Sequence, residues 1–304
     1  MPEDQPQPPA RAPTLHIPRR VVPKTGVRPV SDMDAVRDEL ARFIARHRRI
    51  FVLTGAGIST DSGIPDYRDR TGHWKRTSPI THQQFIGDVA SRARYWQRSF
   101  AGWATIGQAQ PNTAHRTLAR WQREGRLSGL ATQNVDGLHQ RAGHRDVVDL
   151  HGRIDRVICL VCGRTIARAD LQSRLASSHA GWLAHAEAAP DGDAEVEVID
   201  IENYVEPTCD GCGGLLKPDV VFFGGAVPAS RVQSSKVALE QADALLVVGS
   251  SLMVYSGYRF ARFAAEAGKP IALLNRGVTR ADDLATHRWS VDCSVLARVQ
   301  RAPQ

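Results

Sequence analysis

Four of the five cysteines in this 304-residue chain form two C-x-x-C pairs, a spacing that is typical of metal binding. The two-residue spacer lets both thiolates of a pair face one ion. The sequence shows no secretion signal, which would have favoured disulfides. Four thiolates make a closed tetrahedral zinc site without a position for substrate, so we predict a structural zinc ion. Redox chemistry is the weaker alternative, because nothing thioredoxin-like surrounds the pairs. The predicted ligands are Cys159, Cys162, Cys209 and Cys212.

A glycine turn follows the short apolar segment 49–54. Gly55-Ala56-Gly57 would let backbone N–H groups at a helix start approach a phosphate without interference from a Cβ atom. The full dinucleotide fingerprint has a third Gly or Ala where this chain has Thr60, so a plain strand-to-helix turn stays open as the alternative.

The polar segment 61–68, punctuated by Gly and Pro, comes where a helix would normally continue. Such a loop is typical of a functional site. Asp66, Tyr67 and Arg68 are predicted to cover a nucleotide, with the Arg68 guanidinium pairing with phosphate or ribose oxygens. A surface salt bridge is the alternative for Arg68.

Polar side chains also follow three other predicted strands. Open α/β sheets bind ligands at the carboxyl ends of their strands, so these residues are candidate ligand contacts, and each segment read alone is equally consistent with a turn. They are Gln133, Asn134 and Asp136 after the first of these strands, Gly249, Ser250 and Ser251 after the second, and Asn275, Arg276 and Gly277 after the third.

A histidine near these strand ends is the candidate general base. His151 stands just before Gly152 and the first cysteine pair, and imidazole titrates near physiological pH. A structural role is the ordinary one for a lone histidine. His139 and His144 compete for the role, and spacing alone does not exclude them.

The elements that must position these residues alternate between strands and helices. A helix with apolar residues at helical spacing is predicted from Ser31, and short buried strands are predicted at 49–54, 130–132, 244–248 and 270–274. The fold class is therefore α/β, a Rossmann-like parallel sheet domain with a small four-cysteine zinc-binding domain inserted into it. We expect a disordered arm over 1–30, the Rossmann-like domain over 31–151 and 216–300, a helical and loop insertion at about 66–112, and the zinc module over 152–215.

Composition restricts the function classes. The apolar fraction of 42% and charged fraction of 23% are those of a soluble globular protein, and no run approaches the ~20 apolar residues of a membrane helix. The net charge of +7 comes from 34 arginines and 5 lysines spread without a dense run, so no dedicated nucleic-acid surface is predicted. We expect a cytoplasmic monomer without a membrane partner.

Taken together, the motifs resemble those of the sirtuins. They are GAGISTDSGIPDYR at 55–68, TQNVDGLH at 132–139, HG at 151–152, the paired C-x-x-C, KPDVVFFGG at 217–225 and GSSL at 249–252, in the family's order over about residues 33–296. Segments 189–193 and 254–260 are similar to the class II branch, which includes a mitochondrial mammalian member.

This resemblance implies an NAD-dependent protein-lysine deacylase or deacetylase. NAD is cleaved to nicotinamide and O-acyl-ADP-ribose, and acyl-lysine proteins become free lysine. By similarity, His151 is the general base and Asn134 orders the ribose, while Asp136 holds the nicotinamide carboxamide. Val221 and Phe223 flank the acyl-lysine tunnel. The other implied NAD contacts are Gly55, Ala56, Gly57, Ser59, Asp66, Tyr67, Arg68, Gln133, Gly249, Ser250, Ser251, Asn275, Arg276, Gly277 and Cys293.

Three other functions are weighed against deacylation. The same cleavage of NAD permits mono-ADP-ribosyl transfer to a protein, and a zinc-stabilised module could sense NAD without consuming it. An oxidoreductase fits poorly, because the third glycine and a second-domain catalytic pattern are missing. Two departures stand out: Gly225 replaces a residue that is often acidic in the family, and Tyr95-x-x-Arg98 has the spacing of an acidic-acyl reader but is expected on an exposed helix face.

Overall fold

The structure, a computed structural model, describes residues 26–66, 69–73, 79–179, 181–182, 186–187, 195–196 and 201–299. Among these residues no helix is long and apolar enough to cross a membrane. The strands are β1 Ile50–Thr54, β2 Leu127–Thr132, β3 Val147–Asp149, β4 Gly152–Cys159, β5 Thr165–Ala167, β6 Ala186–Glu187, β7 Glu195–Val196, β8 Leu216–Val220, β9 Ala244–Val248, β10 Ile271–Leu274 and β11 His287–Trp289. The helices are α1 Met33–Arg46, α2 His82–Gly87, α3 Val89–Gln108, α4 Thr113–Arg123, α5 Leu138–Arg141, α6 Arg168–Ser178, α7 Ala229–Glu240, α8 Tyr255–Glu266 and α9 Val295–Arg298.

Six strands form one parallel sheet in the order β11-β10-β9-β1-β2-β3. All five residues of β1 are buried, and their side chains alternate between two cores. Ile50 and Val52 pack with α1 and α4, whereas Phe51 and Leu53 pack with α7 and α8. Helices therefore cover both faces of the sheet, which confirms the predicted Rossmann-like α/β fold.

Helix α1 shows how the sequence pattern becomes packing. Val36, Leu40 and Phe43 recur at helical spacing and are all buried against the sheet. The side chain of Asp32 accepts a hydrogen bond from the N–H of Ala35, so the cap is Asp32 and not Ser31, where the helix was predicted to start. Val30, which was assigned to the N-terminal arm, forms a parallel bridge with Trp289 of β11.

A second, smaller sheet stands between β3 and α7 in the chain. Its order is β5-β4-β8, and both pairings are antiparallel. Strand β4 begins at Gly152, directly after His151, and ends at Cys159. The same strand therefore leads from the candidate base to the first zinc ligand.

Helices α2 and α3 lie between the glycine turn and α4 in the chain. Asp88 ends α2 and caps α3 by accepting hydrogen bonds from the N–H groups of Ala90 and Ser91. Phe85 and Trp96 are fully buried in a third core, which also contains Phe222, Leu171 and Leu175. Packing through this core holds α3 against the zinc-binding sheet.

The acidic segment 191–206 lies only partly within the described residues. Its residues Glu195–Val196 form β7, which pairs antiparallel with β6. Farther along, the side chains of Ile201 and Val205 are exposed.

Candidate active site

A cavity of about 630 Å³ opens where the parallel strands end. That edge is where the sequence predicted a ligand site, and its volume falls within the usual range for cofactor pockets. Most of the predicted nucleotide and substrate residues line it: Gly55, Ala56, Gly57, Asp66, Gln133, Asn134, His151, Val221, Phe223, Gly249, Ser250, Ser251, Asn275 and Arg276. Tyr67 and Arg68 lie outside the described residues.

The glycine turn and the end of β9 approach each other more closely than side chains would permit. A Cβ atom on Gly55 would lie 2.7 Å from the Cβ of Ser250, and one on Gly249, at a φ of 61°, would lie 2.3 Å from the backbone nitrogen of Ile58. Gly57 N–H donates to the carbonyl of Gly249 at 2.8 Å. Only glycine permits this packing, and the bare backbone that it leaves lines the cavity, as a pyrophosphate site requires.

His151 is held by hydrogen bonds on both ring nitrogens. Nδ1 lies 2.8 Å from the backbone carbonyl of Gln133, which can only accept, so the proton of the neutral ring is assigned to Nδ1. Nε2 then accepts from the hydroxyl of Ser256, 2.7 Å away. Burial lowers the pKa of His151 below its ordinary 6.5, against the opposing effect of the Gln133 carbonyl. The ring is therefore a neutral base with its lone pair on Nε2.

The backbone around His151 joins the two sheets. Val221 N–H donates to the carbonyl of His151 at 2.8 Å. Gly152 has a φ of 82°, and a Cβ atom there would lie 2.0 Å from the carbonyl oxygen of Asp219. A glycine is thus required for β4 to pass β8 at this point, and this passage sets the candidate base beside the candidate substrate residue Val221.

Asn134, Ser59 and Asp136 form one hydrogen-bonded chain. The amide of Asn134 donates to the hydroxyl of Ser59 at 3.0 Å, and that hydroxyl donates to the carboxyl of Asp136 at 2.7 Å. Burial raises the pKa of Asp136 although Leu138 N–H and the Ser59 hydroxyl bond to it. Ser59 and Asp136 are buried and do not line the cavity, so in this structure they orient Asn134 from behind.

The two competing histidines lie in a buried cluster with a third. The ring of His139 stacks edge-on against those of His115 and His144, with centroids 4.9 and 5.0 Å apart. None of the three lines the described cavity, and His139 Nε2 bonds to the hydroxyl of Thr54 behind the strand ends. Of the three histidines weighed from the sequence, only His151 faces the cavity.

The end of β10 supplies the far side of the cavity. Asn275 and Arg276 line it, whereas Gly277 and Cys293, also predicted as NAD contacts, do not. Gly277 has a φ of 97°, and a Cβ atom there would meet the carbonyl oxygen of Arg70 at 2.2 Å. Cys293 is buried, which raises the pKa of its thiol to about 12, so it is not a nucleophile.

Helix α3 contributes cavity residues that the sequence motifs did not include. Tyr95 and Arg98 both line the cavity, together with Arg94 and Ser99. The expectation that the Tyr95-x-x-Arg98 pair occupies an exposed helix face was therefore wrong, because this face of α3 lines the cavity and both residues are half-buried. The Tyr-x-x-Arg spacing was the sequence signal that could have placed these two residues at the cavity. Ser256 was missed as well, since nothing in the sequence connects the first turn of α8 to His151.

The four cysteines come together at the end of β4. Sγ of Cys159 lies 3.5 Å from that of Cys212, and Sγ of Cys162 lies 3.8 Å from that of Cys209. All four sulfur atoms lie within 4.8 Å of one another. Tetrahedral Zn–S bonds of about 2.3 Å place sulfur atoms about 3.8 Å apart, so the cluster fits one zinc ion. Backbone N–H groups of Val161 and Cys162 point at Sγ of Cys159, which supports a thiolate there.

Fold and site together define an NAD-binding α/β enzyme with a structural zinc module, and comparison with known proteins identifies its class. The profile of the Sir2 family matches residues 55–256. NAD-dependent protein deacetylase 2 of Bradyrhizobium diazoefficiens is 54% identical over 265 residues, which are 87% of this chain and 97% of that protein. The human NAD-dependent protein lipoamidase sirtuin-4, mitochondrial, is 48% identical over 272 residues, 88% of this chain and 86% of that protein.

Solved structures of Sir2 proteins have the same fold as this chain. A complex of Sir2 with a p53 peptide and NAD+ superposes with a TM-score of 0.69 at 30% sequence identity, over 86% of this chain and 95% of the other. Sir2Tm bound to a propionylated peptide gives 0.68 at 29% identity, with the same coverage. The chain therefore belongs to the Sir2 family. It is an NAD-dependent protein deacylase, as the sequence predicted, and its similarity to the human mitochondrial protein confirms the predicted class II resemblance.

Proposed function

We propose that this protein removes acyl groups from lysine side chains with His151 as the general base and Asn134 as the residue that orders the ribose of NAD. The single observation that carries the assignment is the hydrogen bonding of His151, which lines the cavity as a neutral ring with its lone pair on Nε2. A general base needs this protonation state, and the ribose hydroxyl would take the place of the Ser256 hydroxyl at Nε2.

Sheet order supports one direction for the bound dinucleotide. Asn134 follows β2 and His151 follows β3, whereas Asn275 and Arg276 follow β10. β1 and β9 separate β2 from β10, so Asn134 and Asn275 are about 14 Å apart at roughly 4.8 Å per strand. The nicotinamide ribose then lies at the β2 end and the adenosine at the β10 end, with the glycine cradle of β1 between them.

When bound, NAD supplies the ribose carbon that the acyl oxygen attacks as nicotinamide leaves. The side chains of the protein accept the proton, orient the ribose and line the path of the acyl-lysine. Nε2 of His151 accepts a hydroxyl proton, which the Gln133 carbonyl favours by stabilising the proton on Nδ1. Asn134, whose amide nitrogen donates to the Ser59 hydroxyl and the Gly55 carbonyl, holds its amide oxygen toward the ribose. Val221 and Phe223 line the wall where the acyl-lysine enters.

Several finer assignments belong to the same proposal. The remaining predicted NAD contacts, including Gly277, Cys293, Tyr67 and Arg68, are assigned to the cofactor by resemblance. The sequence placed the boundary of the zinc module after residue 215, but β8 Leu216–Val220 pairs with β4 in the small sheet. We therefore propose the NAD-binding domain over 31–151 and 221–300, with the zinc module over 152–220. We propose a cytoplasmic monomer that acts on protein substrates. Relatives of this chain include proteins named for deacetylation and for lipoamide removal, so acyl groups of both sizes are candidate substrates.

The test is incubation with NAD and a panel of lysine peptides carrying acyl groups from acetyl to lipoyl. We expect nicotinamide and free lysine in equal amounts, and His151→Ala should lower kcat/KM by about 10²- to 10⁴-fold, the usual contribution of a general base. His47→Gln, at the end of α1 on the opposite edge of the sheet, serves as the control and should leave turnover unchanged. Nicotinamide release without any acyl peptide, with label from NAD on protein, would instead indicate ADP-ribosyl transfer.

A further inference from the structure

The candidate base is engaged by a neighbouring side chain in the free protein. Nδ1 of His151 is committed to the Gln133 carbonyl, so Nε2 carries the single lone pair that the neutral ring can offer. The hydroxyl of Ser256 lies 2.7 Å from Nε2 and donates to it. The atom that must accept a ribose proton therefore already accepts a hydrogen bond from the protein.

The first turn of α8 holds this hydroxyl in place. Ser256 is the second residue of α8 and is buried. The next residue, Gly257, lies so close to β2 that a Cβ atom there would be 2.4 Å from Oε1 of Gln133. Phe260 and Ala261, one turn farther along the helix, are fully buried in the core that α8 shares with β1, β9 and β10. The imidazole is thus held between the end of β2 and the start of α8, with one ring nitrogen bonded to each.

A ribose hydroxyl and the Ser256 hydroxyl compete for the same atom. The unprotonated nitrogen of an imidazole has one lone pair and accepts one strong hydrogen bond. His151 and Val254 line the cavity, which places Ser256, two residues after Val254, at its margin. A ribose that bonds to Nε2 must break the bond from Ser256. The net value of one neutral hydrogen bond corresponds to about a fivefold change in affinity.

We propose that Ser256 is a positioning residue that masks the base until NAD binds: its hydroxyl occupies Nε2 of His151 in the free enzyme and yields that place to a ribose hydroxyl. This inference rests on the proposed function, because it requires the ribose to bond to His151. The masked state keeps the empty base oriented, and it lowers the affinity of the free enzyme for NAD.

Removing the hydroxyl should therefore strengthen binding of the ribose. Ser256→Ala deletes one oxygen atom at a buried position, and the space that it leaves is too small for a water molecule to replace the bond. The Gln133 carbonyl still holds the ring through Nδ1. If Ser256 only supported the fold, its removal would loosen the site and weaken binding.

The experiment measures affinity by calorimetry with ADP-ribose, which carries the ribose that would face His151, and with ADP, which lacks it. Neither ligand reacts. We expect Ser256→Ala to bind ADP-ribose about fivefold more tightly than the unchanged protein does and to bind ADP equally well. Ser256→Thr keeps a hydroxyl and should bind both ligands like the unchanged protein. In the background of His151→Ala, the gain from Ser256→Ala should disappear.

Ser235→Ala is the matched control. Ser235 is another fully buried serine, on α7, and its hydroxyl has no hydrogen-bond partner within the described residues. This variant should change neither affinity. In turnover, Ser256→Ala should lower KM for NAD and leave kcat nearly unchanged, because the bond from Ser256 is broken before the chemical step.

Each result decides a different point. An ADP-ribose affinity that Ser256→Ala leaves unchanged or lowers, an equal change for ADP, or a gain that persists without His151 would overturn the proposal. Turnover that is lost in His151→Ala would still support the proposed function in each of these cases. If His151→Ala keeps full turnover, the proposed function fails, and a gain for ADP-ribose alone would still show that Ser256 competes with the ribose. Failure of ADP-ribose to bind would overturn both.

Discussion

At the scale of single residues, the environment of His151 predicts the pH dependence of the reaction. A base must be neutral to accept a proton, and burial lowers the pKa of His151 below 6.5. The neutral fraction therefore exceeds one half even at pH 6.5. We expect kcat/KM to keep more than half of its plateau value at that pH, since this parameter reports groups of the free enzyme.

The measurement is a profile of kcat/KM from pH 5 to 9, accompanied by an NMR titration of the His151 ring in the free protein. Both midpoints should lie below 6.5. A decline centred above pH 7 would contradict the burial argument. If His151→Ala leaves kcat/KM unchanged across the pH range, His151 is not the general base.

At the scale of elements, the crossing of β4 and β8 predicts an asymmetry between two glycines. Gly152→Ala adds a Cβ atom 2.0 Å from the Asp219 carbonyl, which must displace β8 and with it the contact of Val221 with His151. A displacement of about 1 Å at a catalytic group costs about 100-fold in rate. Gly163→Ala, at a φ of 73° with nothing within 4 Å, meets only the backbone penalty of about 1–2 kcal/mol.

We therefore expect Gly152→Ala to lose about 100-fold in kcat/KM, while Gly163→Ala loses some thermal stability and keeps its activity. Steady-state kinetics and a thermal melt of each variant measure the difference. Equal activity losses in the two variants would show that the crossing does not position the base.

The zinc cluster belongs to the same element, because β4 connects His151 to Cys159. Cys212→Ser should lower the zinc content from about one ion per chain to near zero and should unfold the small sheet, since structural zinc supplies folding free energy. Val161→Ala, at an exposed side chain beside the cluster, is the control and should retain the metal. Metal analysis with circular dichroism checks both, and a folded, active variant without zinc would contradict the structural role.

The elements also show how far the sequence can be read. Strand 244–248 has the predicted bounds, and the ends of β1 and β10 were predicted, because continuous apolar runs followed by Gly or Asn are strong local signals. The zinc ligands could be predicted because the C-x-x-C spacing is also a local signal. The hydrogen bond from Ser256 to His151 joins residues 105 positions apart, and no periodicity reports such a contact. The exclusion of His139 as the general base and the position of Tyr95 at the cavity likewise depend on tertiary packing.

At the scale of the whole molecule, the buried histidines tie acid stability to the packing of α4 and α5 against the sheet. His115, His139 and His144 expose at most 6% of their surface, and each ring has at least one nitrogen without a hydrogen-bond partner within the described residues. Burial lowers the pKa of His115 to about 3 and that of His144 to about 4, and it lowers the pKa of His139 well below 6.5. The folded protein therefore keeps all three neutral above about pH 4.

The sign of the effect follows from which state binds protons. Below pH 6.5 the unfolded chain takes up protons at these histidines and the folded chain does not, so stability falls as the pH decreases from 6.5 toward about 4. Each histidine contributes about 1.4 kcal/mol between pH 7.5 and 5.5, or about 4 kcal/mol for the three. Urea unfolding at both pH values should show this contribution together with that of His151, whose pKa burial also lowers, and His144→Gln should remove about 1.4 kcal/mol of the loss. At pH 8 and above the histidines are neutral in both states and no longer contribute to the slope. A loss between pH 7.5 and 5.5 that His144→Gln leaves unchanged would assign the acid sensitivity to other groups.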